Sequence, residues 1–179
     1  RTKDLNIYAP MPGAHHAFRM GTTSLALAGV IAANDKRSEV NASIERCEAW
    51  MFREMPKLRR AGGSTIYNNW GHAYGLRALV ALANREGVTE KKKAEYAKLA
   101  QTQVKSLWTK QDIDGGWGYY GFDSVTAQPS AGSNSFTSAT VLLAIKEAAG
   151  VFDLQLNDQR IKKAVVSIQR QRSPDFAYA

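Results

Sequence analysis

The sequence predicts an all-α protein built of three helical hairpins, and three observations carry that expectation. Helical periodicity runs through every patterned stretch, and no segment with the two-residue period of a strand competes with it. The stretches alternate in kind: one apolar or small on nearly all sides, then one with a single apolar face. Landmarks also recur near 60 residues, since Leu82 to Ile145 spans 63 positions, Trp50 to Trp108 spans 58 and Tyr119 to Tyr178 spans 59.

Taken in order, residues 1–13 hold Pro10 and Pro12 without periodicity and read as loop. From Ala14 to about Ala33 the chain is helical and apolar or small all round, as a helix surrounded by other protein should be. After the turn Asn34-Asp35-Lys36-Arg37, Ser38 is placed to cap the next helix, because its hydroxyl can take a free amide of the first turn. Val40, Ile44, Cys47 and Met51 form the one apolar face of that helix. Pro56 and Gly62-Gly63-Ser64 mark a long loop. A second all-round apolar helix runs from Trp70 to Asn84, closed by Gly87. Thr89-Glu90 starts the next, with Tyr96, Leu99, Ala100, Val104, Leu107 and Trp108 on one face. Ser135 to Ala149 is a third buried-type helix, with Gly150 as its cap. Asp158 to Arg172 completes the set, with Ile161, Ala164, Val165 and Ile168 facing in.

The hairpins therefore cover about 14–55, 70–110 and 134–172 of a single domain spanning 1–179. A period near 60 exceeds the roughly 33 to 47 residues of common two-helix repeats, and the excess is loop. Alternating buried and amphipathic helices imply an inner and an outer layer, the property of an α/α toroid. Three hairpins would make a partial ring. The chain begins at Arg1 and ends inside what reads as a repeat, so a piece of a longer protein is expected.

The totals narrow the classes. Apolar and charged fractions of 44% and 22% are ordinary for a soluble globular domain. No uninterrupted apolar run nears the roughly 20 residues of a membrane span. The formal charge of +8 invites a nucleic-acid reading, but Lys91, Lys92, Lys93, Lys98, Lys105, Lys162, Lys163 and Arg170 fall on polar helix faces. A solvated surface is the first reading, a basic stripe meeting an anionic partner or membrane surface is the alternative, and nucleic acid is disfavoured as a partner. The single Cys47, at an apolar helical position, rules out an internal disulfide and a thiolate zinc cluster.

The most distinctive stretch is Leu107-Trp108-Thr109-Lys110-Gln111-Asp112-Ile113-Asp114-Gly115-Gly116-Trp117-Gly118-Tyr119-Tyr120. Gly115-Gly116 can take the positive φ that follows a helix end. Asp114 can accept turn amides. Trp117 and Tyr119 supply apolar area that locks the turn on its neighbours, and Gln111 can bridge a helix end to an indole face. A turn so built needs no catalytic role to explain it. Gln171 with Asp175-Phe176-Ala177-Tyr178 echoes it one repeat later without the glycines. One repeat earlier, Trp50 is followed by Met55-Pro56-Lys57.

This motif resembles the QW-type repeat of the prenyltransferase/squalene-oxidase repeat family, which includes terpene cyclases and protein prenyltransferases. The resemblance is tight over residues 104–120 and extends over the rest as a helical pattern. It implies an α/α toroid closed by about twice as many hairpins as are present, completed by the rest of the same chain or by another subunit. It also implies chemistry that these residues do not supply. The cyclases' Asp-x-Asp-Asp acid motif is matched only by Asp112-Ile113-Asp114-Gly115, in a turn. The prenyltransferases' aspartate, cysteine and histidine zinc set fails because Cys47 is on an outer helix. The Gly-Cys-Gly-Glu of thioester domains is missing. No cofactor or metal is expected.

In this fold the inner helices' N-terminal ends face the mouth of the ring. His15, His16 and Arg19 start the first, and His72, Tyr74 and Arg77 the second, beside Asn68 and Asn69. Together they are candidates to bind an anionic, lipid or glycan ligand; capping helices and satisfying loop carbonyls is the competing role. A metal held by His15, His16 and His72 is disfavoured because adjacent histidines diverge on a helix. The resulting expectation is a ligand- or protein-binding repeat module. The alternative is an enzyme of the terpenoid cyclase-like or glycan-degrading toroid type using the mouth cluster.

Overall fold

The computed structural model describes residues 12–58, 68–118 and 132–172, and among these the regular structure is entirely helical. The helices are α1 (Pro12–Ala32), α2 (Ser38–Glu54), α3 (Asn68–Ala83), α4 (Glu90–Thr109), α5 (Ser135–Phe152) and α6 (Asp158–Arg170), with one 3-10 turn over Met55–Lys57. Three of the starts are capped by side chains that accept a first-turn amide. Thr89 accepts from the Lys92 amide at 3.3 Å, Asn134 from Thr137 at 2.9 Å and Asn157 from Arg160 at 3.1 Å.

Two boundaries differ from the sequence reading. Ser38 is the first residue of α2 rather than its cap, and its hydroxyl donates to Glu39 Oε2. The cap position falls to Arg37, because Asp35 accepts the Arg37 amide at 3.0 Å and grips its guanidinium, holding Arg37 extended. Glycine 150 does not end α5. The helix runs through it to Phe152, and the left-handed residue is Asp153, at φ 51°. A carboxylate in that conformation at a helix C-terminus is doubly unfavourable. Asp153→Gly should therefore raise stability by about 1 kcal/mol, read as a higher urea midpoint at unchanged slope.

The packing follows from the alternation. α3 lies between α1 and α5, and each of the three is backed by the helix that follows it in sequence: α2 on α1, α4 on α3 and α6 on α5. Eleven of the sixteen α3 residues are buried, which is why its sequence shows no single apolar face. Met20 and Leu27 from α1, Leu76, Leu79 and Leu82 from α3, and Val141, Ala144 and Ile145 from α5 fill the centre. Gly71 lets α1 and α3 approach, since a β-carbon there would stand 3.1 Å from the Ala17 carbonyl oxygen. Ala17 beside Gly71, Gly21 beside Tyr74, Trp70 reaching Thr137 and Arg77 reaching Glu147 show that α1, α3 and α5 run in the same direction.

Helices α4 and α6 carry most of the lysines. Lys91, Lys92, Lys98, Lys105, Lys162, Lys163 and Arg170 are exposed, and Lys93 is half-buried. Cys47 is half-buried, and its desolvation pushes the thiol pKa up. On α6 one inward residue was misplaced by the sequence reading: Val165 is exposed and Ser167 is buried instead. The cause is polar, because Ser167 turns in to meet Asp114 and Ser133. By length and composition α5 is long and apolar enough to cross a membrane, with a mean hydropathy of 1.2, and 44% of it is buried within the fold.

Candidate functional site

The glycine turn joins three helices. Asp112 and Gly115 close it, with Gly115 N donating to Asp112 O and Asp112 N to Gly116 O, both at 2.9 Å. Asp114 Oδ1 accepts from Gly116 N at 3.0 Å, and its other oxygen takes the hydroxyls of Ser133 and Ser167. The Gln111 amide donates to Gly115 O at 2.8 Å and to Arg160 O at 3.0 Å, so it bridges the turn to the first turn of α6 rather than to an indole face. The Trp117 indole is fully buried and donates to Leu107 O at 2.8 Å, tying back to α4. Its backbone exchanges two hydrogen bonds with the Ser138 hydroxyl on α5. Arg160 stacks over Trp108, 5.4 Å from the ring centre, and Trp108 leans on Trp117 at 5.6 Å. The side chains of Gln111, Asp114 and Trp117 are thus committed to holding helices together. Tyr119 lies outside the described residues.

The residues expected at a common mouth are divided among three environments. The His15 side chain lies outside the described residues. His16 turns toward the end of α2, its Nε2 3.6 Å from Glu54 Oε2, and Arg19 lies 5.5 Å from the centre of the Trp50 ring, also on α2. His72 is buried against α4. Its Nδ1 pairs with Gln103 Oε1 at 2.7 Å, and burial, then the nearby Lys110 ammonium, push its pKa down to about 3. It reaches neither His16 nor the exposed side of α3. Among the described residues no group of three His, Cys, Asp or Glu side chains comes together around a metal position.

Tyr74 and Arg77 remain at the surface, and there they belong to a larger arrangement. Helices α1, α3 and α5 each present a stripe at positions i, i+4, i+7 and i+11: Phe18, Thr22, Leu25 and Gly29 on α1; Trp70, Tyr74, Arg77 and Ala81 on α3; Phe136, Thr140, Leu143 and Glu147 on α5. All twelve are exposed or half-buried, with Leu25 at 53%, Phe136 at 45% and Leu143 at 57%. Because the helices run in the same direction, like positions line up across them. Phe18, Trp70 and Phe136 form an aromatic row, with Trp70 edge-on to Phe136 at 6.2 Å and to Tyr74 at 5.8 Å. The Trp70 indole is fixed by donating to Thr137 Oγ1 at 3.1 Å. A cleft of about 90 Å³ opens between α1 and α3, lined by Phe18, Gly21, Thr22, Leu25, Trp70 and Tyr74.

The chemistry of this face is apolar. The Thr22 and Thr140 hydroxyls donate back to Phe18 O and Phe136 O in their own helices, at 3.0 and 2.7 Å. The stripe's two charges neutralise each other, Arg77 pairing with Glu147 at 3.1 Å between α3 and α5. Among the twelve stripe residues no unpaired cation stands to receive an anion. Sequence reasoning missed the row because it sought polar residues at helix starts. The recurring aromatic at the head of an i, i+4, i+7, i+11 stripe was the signal that could have found it. No family model, curated protein or solved structure matches the chain.

Proposed function

We propose that this chain is a ligand- or protein-binding helical module of the prenyltransferase/squalene-oxidase repeat type, forming part of an α/α toroid. Binding is through the face made by the inner helices. The observation that supports this is the apolar row continuous across α1, α3 and α5, a larger exposed apolar surface than scattered single residues make. In the glycine turn Asp114 and Gln111 are engaged in bonds between helices, and His72 does not join Tyr74 and Arg77, so the enzyme alternative gains no geometry. An apolar or lipid-like ligand fits the face better than an anionic one, because Arg77 is already paired. The same face would receive the inner helices of the rest of the chain, or of another subunit completing the ring.

The double variant Leu25→Asp/Leu143→Asp tests this, because both residues are more than half exposed and carry little of the folding energy. Nile red and phosphatidylcholine vesicles serve as apolar probes, with maltohexaose as the glycan comparison. The expected result is dye and vesicle binding by the parent protein, weakened at least about tenfold in the variant at an unchanged urea midpoint. Unchanged affinity in the variant, or binding of maltohexaose alone, would overturn the assignment.

A further inference from the structure

Behind the row, the first two turns of α3 bury three polar side chains whose hydrogen bonds the protein only half supplies. Asn68 and Asn69 are wholly buried and His72 is 1% exposed. Among the described residues, four of their atoms have no hydrogen-bond partner: Asn68 Oδ1 and Nδ2, Asn69 Oδ1 and His72 Nε2. Residues 68 and 72 stand one turn apart on the same face of α3, so their side chains are neighbours. Buried polar atoms are paired in folded proteins, and four left unpaired would together forfeit several ordinary hydrogen bonds.

The character of these atoms decides what can pair with them. With Gln103 Oε1 taking the Nδ1 proton, His72 Nε2 offers a lone pair. The Asn69 amide nitrogen is committed to Gly118 O at 2.9 Å, which leaves its oxygen. The set is therefore three acceptors and one amide donor. An anion would meet three acceptors. A cation would sit at the positive end of α3, near the Lys110 ammonium that already disfavours charge on His72. A neutral species that both donates and accepts can bridge two of the acceptors to the amide donor, and water is the smallest such species.

We infer that the start of α3 encloses an ordered water, which donates to His72 Nε2 and to an asparagine oxygen and accepts from Asn68 Nδ2. Three protein partners are the usual complement of a buried water. Asn69 is bonded to the glycine turn at Gly118 and His72 to Gln103 on α4. The water therefore completes a polar knot joining α3, α4 and the turn directly behind Trp70, and Asn68 and His72 act as positioning residues for the aromatic row.

Water-selective NMR on the isotope-labelled full chain tests the assignment. The expected result is a cross-peak between a long-lived water and the His72 ring protons, of the sign given by slow tumbling. It should vanish in Asn68→Leu and persist in Asn68→Ser, whose hydroxyl can still hold the water. The assignment is overturned if the parent protein shows no such cross-peak, or if the peak is unchanged in Asn68→Leu. Should Asn68→Leu fail to fold, the parent spectrum and a matching peak in Asn68→Ser decide the question, and loss of the peak in Asn68→Ser then counts against it.

Discussion

Gly115→Ala is expected to cost about 3 kcal/mol or more and to release α6 from the rest of the fold. Gly115 sits at φ 98°, where an L side chain is strained. The obstacle is not only conformational. A β-carbon would lie 2.6 Å from the Lys163 carbonyl oxygen and 2.7 Å from the carbonyl carbon. This is main chain in the middle of α6, which cannot swing away as a flexible side chain can. The turn would have to withdraw, and with it the two bonds that Gln111 makes to Gly115 O and Arg160 O. Gly150→Ala is the control, because nothing lies within 4 Å of a β-carbon there and the residue is helical. That change should stabilise by roughly 0.5–1 kcal/mol. Urea unfolding of both variants measures the contrast. A Gly115→Ala midpoint equal to the parent's would mean that the turn does not clasp α6.

The helices were legible in the sequence because burial on all sides and burial on one side leave different periodicities. α3 and α4 show both cases: α3 is surrounded by α1, α4 and α5, whereas α4 packs one face and leaves its lysines in solvent. The errors fell where a side chain overrode local propensity. Asp35 decided where α2 begins by holding Arg37 extended, and Ser167 took an inward place from Val165 because Asp114 and Ser133 waited for it. The first is local, an Asp35–Arg37 contact two residues apart that competes with the Ser38 cap, whereas the second cannot be read from neighbouring residues, since the Asp114–Ser167 contact joins positions 53 apart.

Less of the site was legible than of the fold. Polar residues at the starts of inner helices looked like one cluster, but a helix presents each residue at its own angle. Residues 72 and 74 differ by roughly 200° around the axis, so His72 looks toward α4 while Tyr74 looks outward. The apolar stripe was concealed for the opposite reason. On a helix apolar all round, the residues that face solvent carry no contrast with those in the core, and Leu25 and Leu143 are exposed beside buried Leu27 and Leu142. Burial had to be known before the aromatic row could be distinguished from core.

The buried imidazole leads to the second large effect, the share of stability lost in mild acid that His72 contributes. Its folded pKa is about 3 against an ordinary value of 6.5, because burial penalises the charged ring and the Lys110 ammonium repels it, while the bond to Gln103 opposes only in part. Above pH 6.5 the ring is neutral in both folded and unfolded chains and contributes no dependence. As the pH falls below 6.5 the unfolded chain takes up a proton that the folded chain refuses, so stability declines. The limiting slope is about 1.4 kcal/mol per pH unit, or about 2 kcal/mol lost by pH 5 from this one group, and the decline ends near pH 3 where the folded form also protonates. The difference in unfolding free energy between the parent and His72→Gln, followed from pH 8 to pH 4, isolates this contribution from every other titrating group. It should be flat above pH 6.5 and narrow or reverse below it, as the parent loses stability faster. In parallel, the His72 ring carbon and nitrogen shifts of the parent should stay constant from pH 8 to pH 5. A ring that titrates near 6.5 in the folded protein, or a stability difference independent of pH, would mean that His72 is neither sealed from solvent nor held beside Lys110.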